Sequence, residues 1–255
     1  MSRIKIVLAY VGTGFNGWQI QAGGRTVQGV VETCLARLCA DRIRVHGSGR
    51  TDSGVHALGQ VAHFDPPAER FHIPWQRALN SVLPPDISVI HSETVNDSFH
   101  ARFSATAKEY SYTLWLEPDF VLPQRMPFVW AVGPLDVNAM DAASKYLIGE
   151  HDFSAFQNVG TTVSSTHRTI HALDIDTGPS DRELVLRFRA DGFLKQMVRN
   201  LVGLLHDVGR GRTNLDRARS ILKSGDRALG PATAPARGLC LERVFYPEDE
   251  IPIRP

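Results

Sequence analysis

The stretch HGSGRTDSGVHALGQVAHFD, residues 46–65, holds the chain's clearest candidate for chemistry. Asp52 stands two residues after Arg50 and two before Gly54, with Thr51 and Ser53 beside it and Gly47 and Gly49 ahead of it. A guanidinium within ~4–6 Å of a carboxylate lowers its pKa and keeps it ionised even in a closed pocket. An ionised, partly desolvated carboxylate is a competent nucleophile. The same residues also suit a plain structural use, an Arg–Asp pair that pins a turn, and spacing alone does not separate the two.

Three other chemistries fit less well. GTGFNG (12–17) matches G-x-G-x-x-G after an apolar run, but WQIQAGGRT follows it instead of the helix that should receive a pyrophosphate, so it reads as a glycine-rich turn. Asp52-Ser53-Gly54 resembles one half of an aspartic-protease dyad, which needs a second carboxylate to share the proton, and the tripeptide occurs once. His46, His56 and His63 lie nearest Asp52 without an i, i+4 step between them, and the three cysteines, Cys34, Cys39 and Cys240, form no C-x-x-C pair. Neither a metal site nor a disulfide framework is expected.

The elements that must carry these residues follow from periodicity. IKIVLAYV (4–11) reads as a strand. Val27, Val30, Val31, Cys34, Leu35 and Leu38 fall at helical spacing behind Thr26 as cap. A strand around Val61–Phe64, a short helix opened by Pro74 and a strand over Ile87–Val95 complete a first half. In the second half KEYSYTLWL (108–116) alternates as a strand and 136–149 reads as a helix; strands starting near 168 and 182 flank the turn GPSD. An apolar helix over 192–209, a second over NLDRARSILKSG and a closing strand, LCLERVFY (239–246), follow. The expectation is an α+β protein of two halves, 1–105 and 106–255, with a long proline-bearing connection at 117–136.

Length and composition, 255 residues with 43% hydrophobic and 22% charged, allow a substantial core. No stretch approaches the ~18 apolar residues that span a bilayer, and the first residues lack the pattern of a signal peptide, so a cytoplasmic protein is expected. A formal charge of +1 says little about partners. Its distribution says more: from Lys195 to Lys223 the chain carries Arg199, Arg210, Arg212, Arg217 and Arg219 against Asp207 and Asp216. That stretch suits either a phosphate-binding face or the solvated side of a helix pair. Within it Arg199 is anomalous, a cation set among Phe193, Leu194, Met197, Val198, Leu201 and Leu205, since buried charge is costly unless paired.

Taken together, GSGRTDSGVHA (47–57), FNGWQIQ (15–21), RTVQG (25–29), FHARFSATAKEYSY (99–112), GEHDFSAF (149–156), GFLKQMVRN (192–200) and TAPARGLCLERV (233–244) resemble, in order, the landmarks of the tRNA pseudouridine synthase A family. The resemblance spans essentially the whole chain. It implies the pseudouridine synthase fold: two ferredoxin-like or RRM-like halves with mixed, mainly antiparallel sheets and a central cleft. It implies an isomerase that turns uridine into pseudouridine in the anticodon stem-loop of tRNA, without cofactor or metal, as a homodimer. It maps the nucleophile onto Asp52, the base-packing tyrosine onto Tyr110 and the basic residue that pairs with the aspartate onto Arg199. Arg50 carries over as the motif arginine, ordering the loop and an RNA phosphate; Lys108 and Glu109 stand where the family often has arginine before the tyrosine. Attack at ribose C1′, attack at base C6 and promotion of elimination all remain open for Asp52.

The residues agree independently with such roles. A stacked base must be flipped out before chemistry, and an aromatic ring such as Tyr110 replaces part of the lost stacking. Arg25, Lys195, Arg210 and Arg212 are expected to bind phosphates, with Gly209 and Gly211 allowing close backbone approach. A reading from another class, an RNA-binding or chaperone-like module without turnover, is disfavoured by the joint presence of Asp52, Tyr110 and Arg199.

Overall fold

The structure is a computed structural model and describes residues 3–161 and 163–247. In chain order the strands are β1 (Arg3–Tyr10), β2 (His46–Gly47), β3 (His56–Phe64), β4 (Ile87–Val95), β5 (Ala107–Trp115), β6 (Trp130–Ala131), β7 (Gly149–Asp152), β8 (His167–Thr177), β9 (Glu183–Ala190) and β10 (Leu239–Phe245). The α-helices are α1 (Val27–Cys39), α2 (Trp75–Asn80), α3 (Val137–Ser144), α4 (Met197–Gly209) and α5 (Leu215–Ser224). The chain divides into two compact units: residues up to Thr106 together with the segment from Cys240 onward, and Ala107–Leu239.

In the first unit β1 is central to the antiparallel part, pairing β3 on one side and β4 on the other. Its alternation dictates which face is core: Ile4, Ile6, Leu8 and Tyr10 are buried while the residues between them are half-exposed. β3 is buried on both faces except at Leu58, and β10 joins its edge in parallel, Cys240 opposite His56 and Leu241 opposite Ala57. Gly59 permits that approach; a methyl group there would stand 2.2 Å from the Glu242 carbonyl oxygen. Helix α1 starts where its cap requires, Thr26 Oγ1 accepting from the Gly29 amide at 3.3 Å, and buries Val27, Val31, Cys34 and Leu35.

The second unit carries β5, β9, β8 and β7 in antiparallel succession, with β6 added in parallel to β5. β8 and β9 are joined by the GPSD turn, closed by the Gly178 amide on the Glu183 carbonyl at 2.8 Å. Helix α4 buries Met197, Leu201, Leu204, Leu205 and Val208. Asp136 and Asn214 cap α3 and α5 through side-chain acceptors.

Three features differ from the sequence reading. The last strand belongs with the first unit, where it pairs with β3, so 106–255 does not stay together; residues 248–255 lie outside the described residues. The apolar helix begins at Met197 and not near Gly192, because Gln196 takes the left-handed conformation, φ +63°, and breaks the helical run. The connection at 117–136 is tied down: Trp115 Nε1 donates to the Phe120 carbonyl at 2.6 Å, and Arg125 grips the buried Glu183 carboxylate at 2.6 and 3.0 Å. Among the described residues, no helix is long and apolar enough to cross a membrane.

Candidate active site

In the first unit the Asp52 loop is built against the segment 12–18. The Trp18 amide donates to the Thr51 carbonyl at 3.1 Å, the Gly54 amide to the Phe15 carbonyl at 3.3 Å and the Val55 amide to the Asp52 carbonyl at 3.1 Å. Ser53 Oγ donates to that same Phe15 carbonyl at 3.1 Å, and the buried Thr51 hydroxyl lies 2.8 Å from the Tyr10 hydroxyl. Glycines make the contact possible. A methyl group on Gly17, whose φ is +81°, would stand 2.6 Å from the Thr51 carbonyl oxygen, and one on Gly12 would stand 2.0 Å from that of Val55. GTGFNG is therefore a bracket for the aspartate loop, opening with a single 3-10 turn at Gly12–Gly14. Thr51, Gly54 and Val55 are pinned by main-chain hydrogen bonds and Ser53 by its hydroxyl, while Asp52 itself is only half-buried.

Arg50 does not do the pinning. It is exposed, and among the described residues its guanidinium has no hydrogen bond or ion pair; Thr51, Ser53 and Gly54 hold the turn instead. This corrects the expectation that Arg50 orders the loop. Arg25 also departs from its expected role as a phosphate ligand: both terminal nitrogens are engaged by Asp86, at 2.5 and 2.9 Å. That bond holds the Asp86 carboxyl below its usual range and raises Arg25.

The nearby histidines are structural. His56 Nδ1 accepts from the Gly12 amide at 3.0 Å. His63 stacks on His46 with ring centres 5.0 Å apart, its Nδ1 accepting from the Ala101 amide at 3.1 Å. Burial, reinforced by the Arg3 charge, pushes His63 down to about 3. Among the described residues, no three His, Cys, Asp or Glu side chains gather as metal ligands would.

In the second unit Tyr110 sits at mid-β5 opposite Phe188, 8% exposed, with the Phe193 ring edge-on at 5.2 Å. Tyr112, two residues on, is fully buried with its hydroxyl on the Pro235 carbonyl at 2.8 Å. Tyr110 is thus buried but less completely than Tyr112, two residues along the same face of the strand. Arg199 lies in the first turn of α4, half-buried, with Nε donating to the Ala234 carbonyl at 2.7 Å and its own carbonyl accepting from the Ala234 amide at 3.2 Å.

Its neighbour Asn200 escaped the sequence reading and anchors this arrangement. Fully buried, Asn200 donates to the Phe156 carbonyl at 2.7 Å and accepts from Thr233 Oγ1 at 2.7 Å and Arg227 Nη2 at 3.2 Å. An amide at a core position of an apolar helix was the available signal, for a buried amide needs partners. Nothing in the sequence marks Gln196.

The basic residues of this unit divide. Lys195 is exposed; Arg210 is exposed with Nη1 on the Pro134 carbonyl at 3.2 Å; Arg212 is 63% exposed and 3.7 Å from Asp207. Gly209 is not placed for a phosphate: it is buried at the end of α4, where a methyl group would meet Met140 Sδ at 2.7 Å, so helix packing explains it. Gly211, φ +67°, has open space around it.

Comparison with known proteins decides the family. A family model described as tRNA pseudouridine synthase matches residues 6–104 and 143–247. The chain belongs to the tRNA pseudouridine synthase family. Within it, the chain is 53% identical over 248 residues to tRNA pseudouridine synthase A of Maridesulfovibrio salexigens, covering 97% of this chain and 92% of that protein. It is 54% identical to the Solidesulfovibrio magneticus enzyme of the same name, with 96% and 92% covered, and 43% identical to that of Geobacillus kaustophilus, with 97% and 95% covered. The pseudouridine synthase fold follows from membership, and the units supply its mixed α+β elements. Asp52 falls in the first matched segment and Arg199 in the second, whereas Tyr110 lies in the unmatched interval between them.

Proposed function

We propose that this synthase isomerises uridine to pseudouridine in the anticodon stem-loop of tRNA, with Asp52 as the nucleophile on a flipped-out nucleoside. The supporting observation is that the full-length similarity to tRNA pseudouridine synthases coincides with one partly exposed carboxylate on a main-chain-pinned loop. The reaction is an isomerisation: the bond from N1 to the ribose breaks, the bond from C5 to the ribose forms, N1 gains a proton and C5 loses one. Atoms and electrons balance within the substrate. The protein must hold the released uracil while it turns and offer a group that engages the nucleoside, and a carboxylate fixed at its main chain suits that task.

Tyr110 and Arg199 are assigned to the same reaction, the tyrosine packing on the base and the guanidinium supplying positive charge. Lys195, Arg210 and Arg212, exposed on the second unit, are assigned to phosphates, which position tRNA without reading its sequence. A homodimer acting on tRNA in the cytoplasm completes the reading. The test is incubation with unmodified tRNA transcripts followed by chemical mapping of pseudouridine. New pseudouridine confined to the anticodon stem-loop supports the proposal; product elsewhere only, or none, refutes it.

A further inference from the structure

Asp86 takes no part in the chemistry above, yet it is joined to the Asp52 loop by a short chain of contacts within the first unit. Its carboxylate grips Arg25 at both terminal nitrogens, and the guanidinium lies over the Phe15 ring, 4.1 Å from the ring centre. The main chain doubles the link: the Val11 amide donates to the Asp86 carbonyl at 3.0 Å and the Asn16 amide to the Arg25 carbonyl at 2.7 Å. Phe15, 2% exposed, then offers its carbonyl to Ser53 Oγ and the Gly54 amide, the two residues that follow Asp52. Asp86 thus reaches the nucleophile's loop through one guanidinium, one ring and one carbonyl.

We infer that the Arg25–Asp86 pair is a positioning clamp, fixing Phe15 and, through its carbonyl, the aim of the Asp52 loop. The inference rests on Asp52 being the nucleophile. Two facts favour a clamp over a phosphate site at Arg25. The guanidinium's two terminal nitrogens are committed to a carboxylate and its face to a ring, so an incoming phosphate would have to compete with an anion already in place. The pair is also partly exposed, with the two side chains 40% and 30% accessible, where an ion pair adds little to stability. Its effect should therefore appear in the rate of chemistry more than in melting temperature, because small displacements of a reacting group are costly.

The experiment compares the full-length protein with Asp86→Asn, Arg25→Lys and the double variant, with Asp52→Ala as control, on an unmodified tRNA transcript. Single-turnover rates are measured at a temperature where circular dichroism shows every variant folded, and tRNA dissociation constants across a salt series. Each single change is expected to slow the single-turnover rate about 10-fold. The double variant should be little slower than either single one, because both remove the same clamp. Dissociation constants should stay within about twofold, with an unchanged salt slope. An unchanged rate in Asp86→Asn overturns the clamp. So does weaker binding with a shallower salt slope in a further variant, Arg25→Ala, which removes the charge that lysine keeps, while Asp86→Asn binds as well as or better than the parent, since Arg25 would then be a phosphate ligand. Turnover by Asp52→Ala would instead remove the nucleophile assignment on which the clamp rests, a failure visible in that control alone.

Discussion

The loop that carries Asp52 and the helix turn that carries Arg199 are held by different balances of main-chain and side-chain contacts. The first is fixed by main chain and glycine: carbonyls of Phe15 and Thr51 and amides of Trp18, Gly54 and Val55 set its path, and Gly12 and Gly17 clear the room. The second is fixed mainly by side chains, with Asn200, Thr233 and Arg227 tying α4 to the 231–234 segment while Arg199 Nε bonds the Ala234 carbonyl; one main-chain bond, from the Ala234 amide to the Arg199 carbonyl, adds to them. A site held by backbone resists any added atom, whereas one held by side chains resists the loss of an atom. The two regions should therefore fail to different substitutions.

The sharpest break is Gly17→Ala. The added methyl, at a residue with φ +81° and 2.6 Å from the Thr51 carbonyl, must displace the Asp52 loop. A displacement of about 1 Å lowers the rate about 100-fold, which single-turnover assays on tRNA would show, with stability lower by about 1–3 kcal/mol. Asn200→Ala tests the other region. It leaves the Phe156 carbonyl without its Asn200 donor and the Thr233 hydroxyl without its acceptor and should destabilise by about 2–4 kcal/mol in urea unfolding. If Asn200→Ala is tolerated and Gly17→Ala is harmless, the contrast fails on both sides.

These two residues also show what the sequence could convey. Strand and helix positions were legible because burial imposes period: Ile4, Ile6 and Leu8 alternate, and Val27, Val31, Cys34 and Leu35 step helically. Asp52 was legible through its neighbours' types. What held the loop was not, because main-chain hydrogen bonds leave no side-chain signature and the Thr51–Tyr10 hydroxyl contact joins residues 41 apart; Arg50, the obvious candidate, is exposed. The partner of β10 was hidden for a similar reason, since Cys240 meets β3 across most of the chain's length and no local pattern records it. Arg25 misled because charge was visible and its partner Asp86, 61 residues away, was not.

Smaller effects refine the comparison. Tyr10→Phe removes the hydroxyl contact to Thr51 and should cost about 1 kcal/mol with a modest fall in rate. Replacing Lys195 and Arg212 with alanine should weaken tRNA binding and shallow its salt dependence by about one to two counterions while sparing chemistry on bound RNA. His63 gives a pH signature. Its folded pKa, near 3, lies below the unfolded value of 6.5, so the unfolded chain binds the extra proton between those limits and stability is lost as pH falls from about 6.5 toward 3. His63→Gln should reduce the pH slope of unfolding free energy in that window by up to one proton, measured by urea titration at several pH values.

The most direct test of the central claim is Asp52→Asn assayed with unmodified tRNA. The substitution keeps the size of the side chain and the main-chain frame around it but removes the carboxylate charge. The account predicts that tRNA binding and melting temperature persist while pseudouridine formation falls to the limit of detection under single-turnover conditions. Undiminished pseudouridine from the Asp52→Asn variant would contradict it.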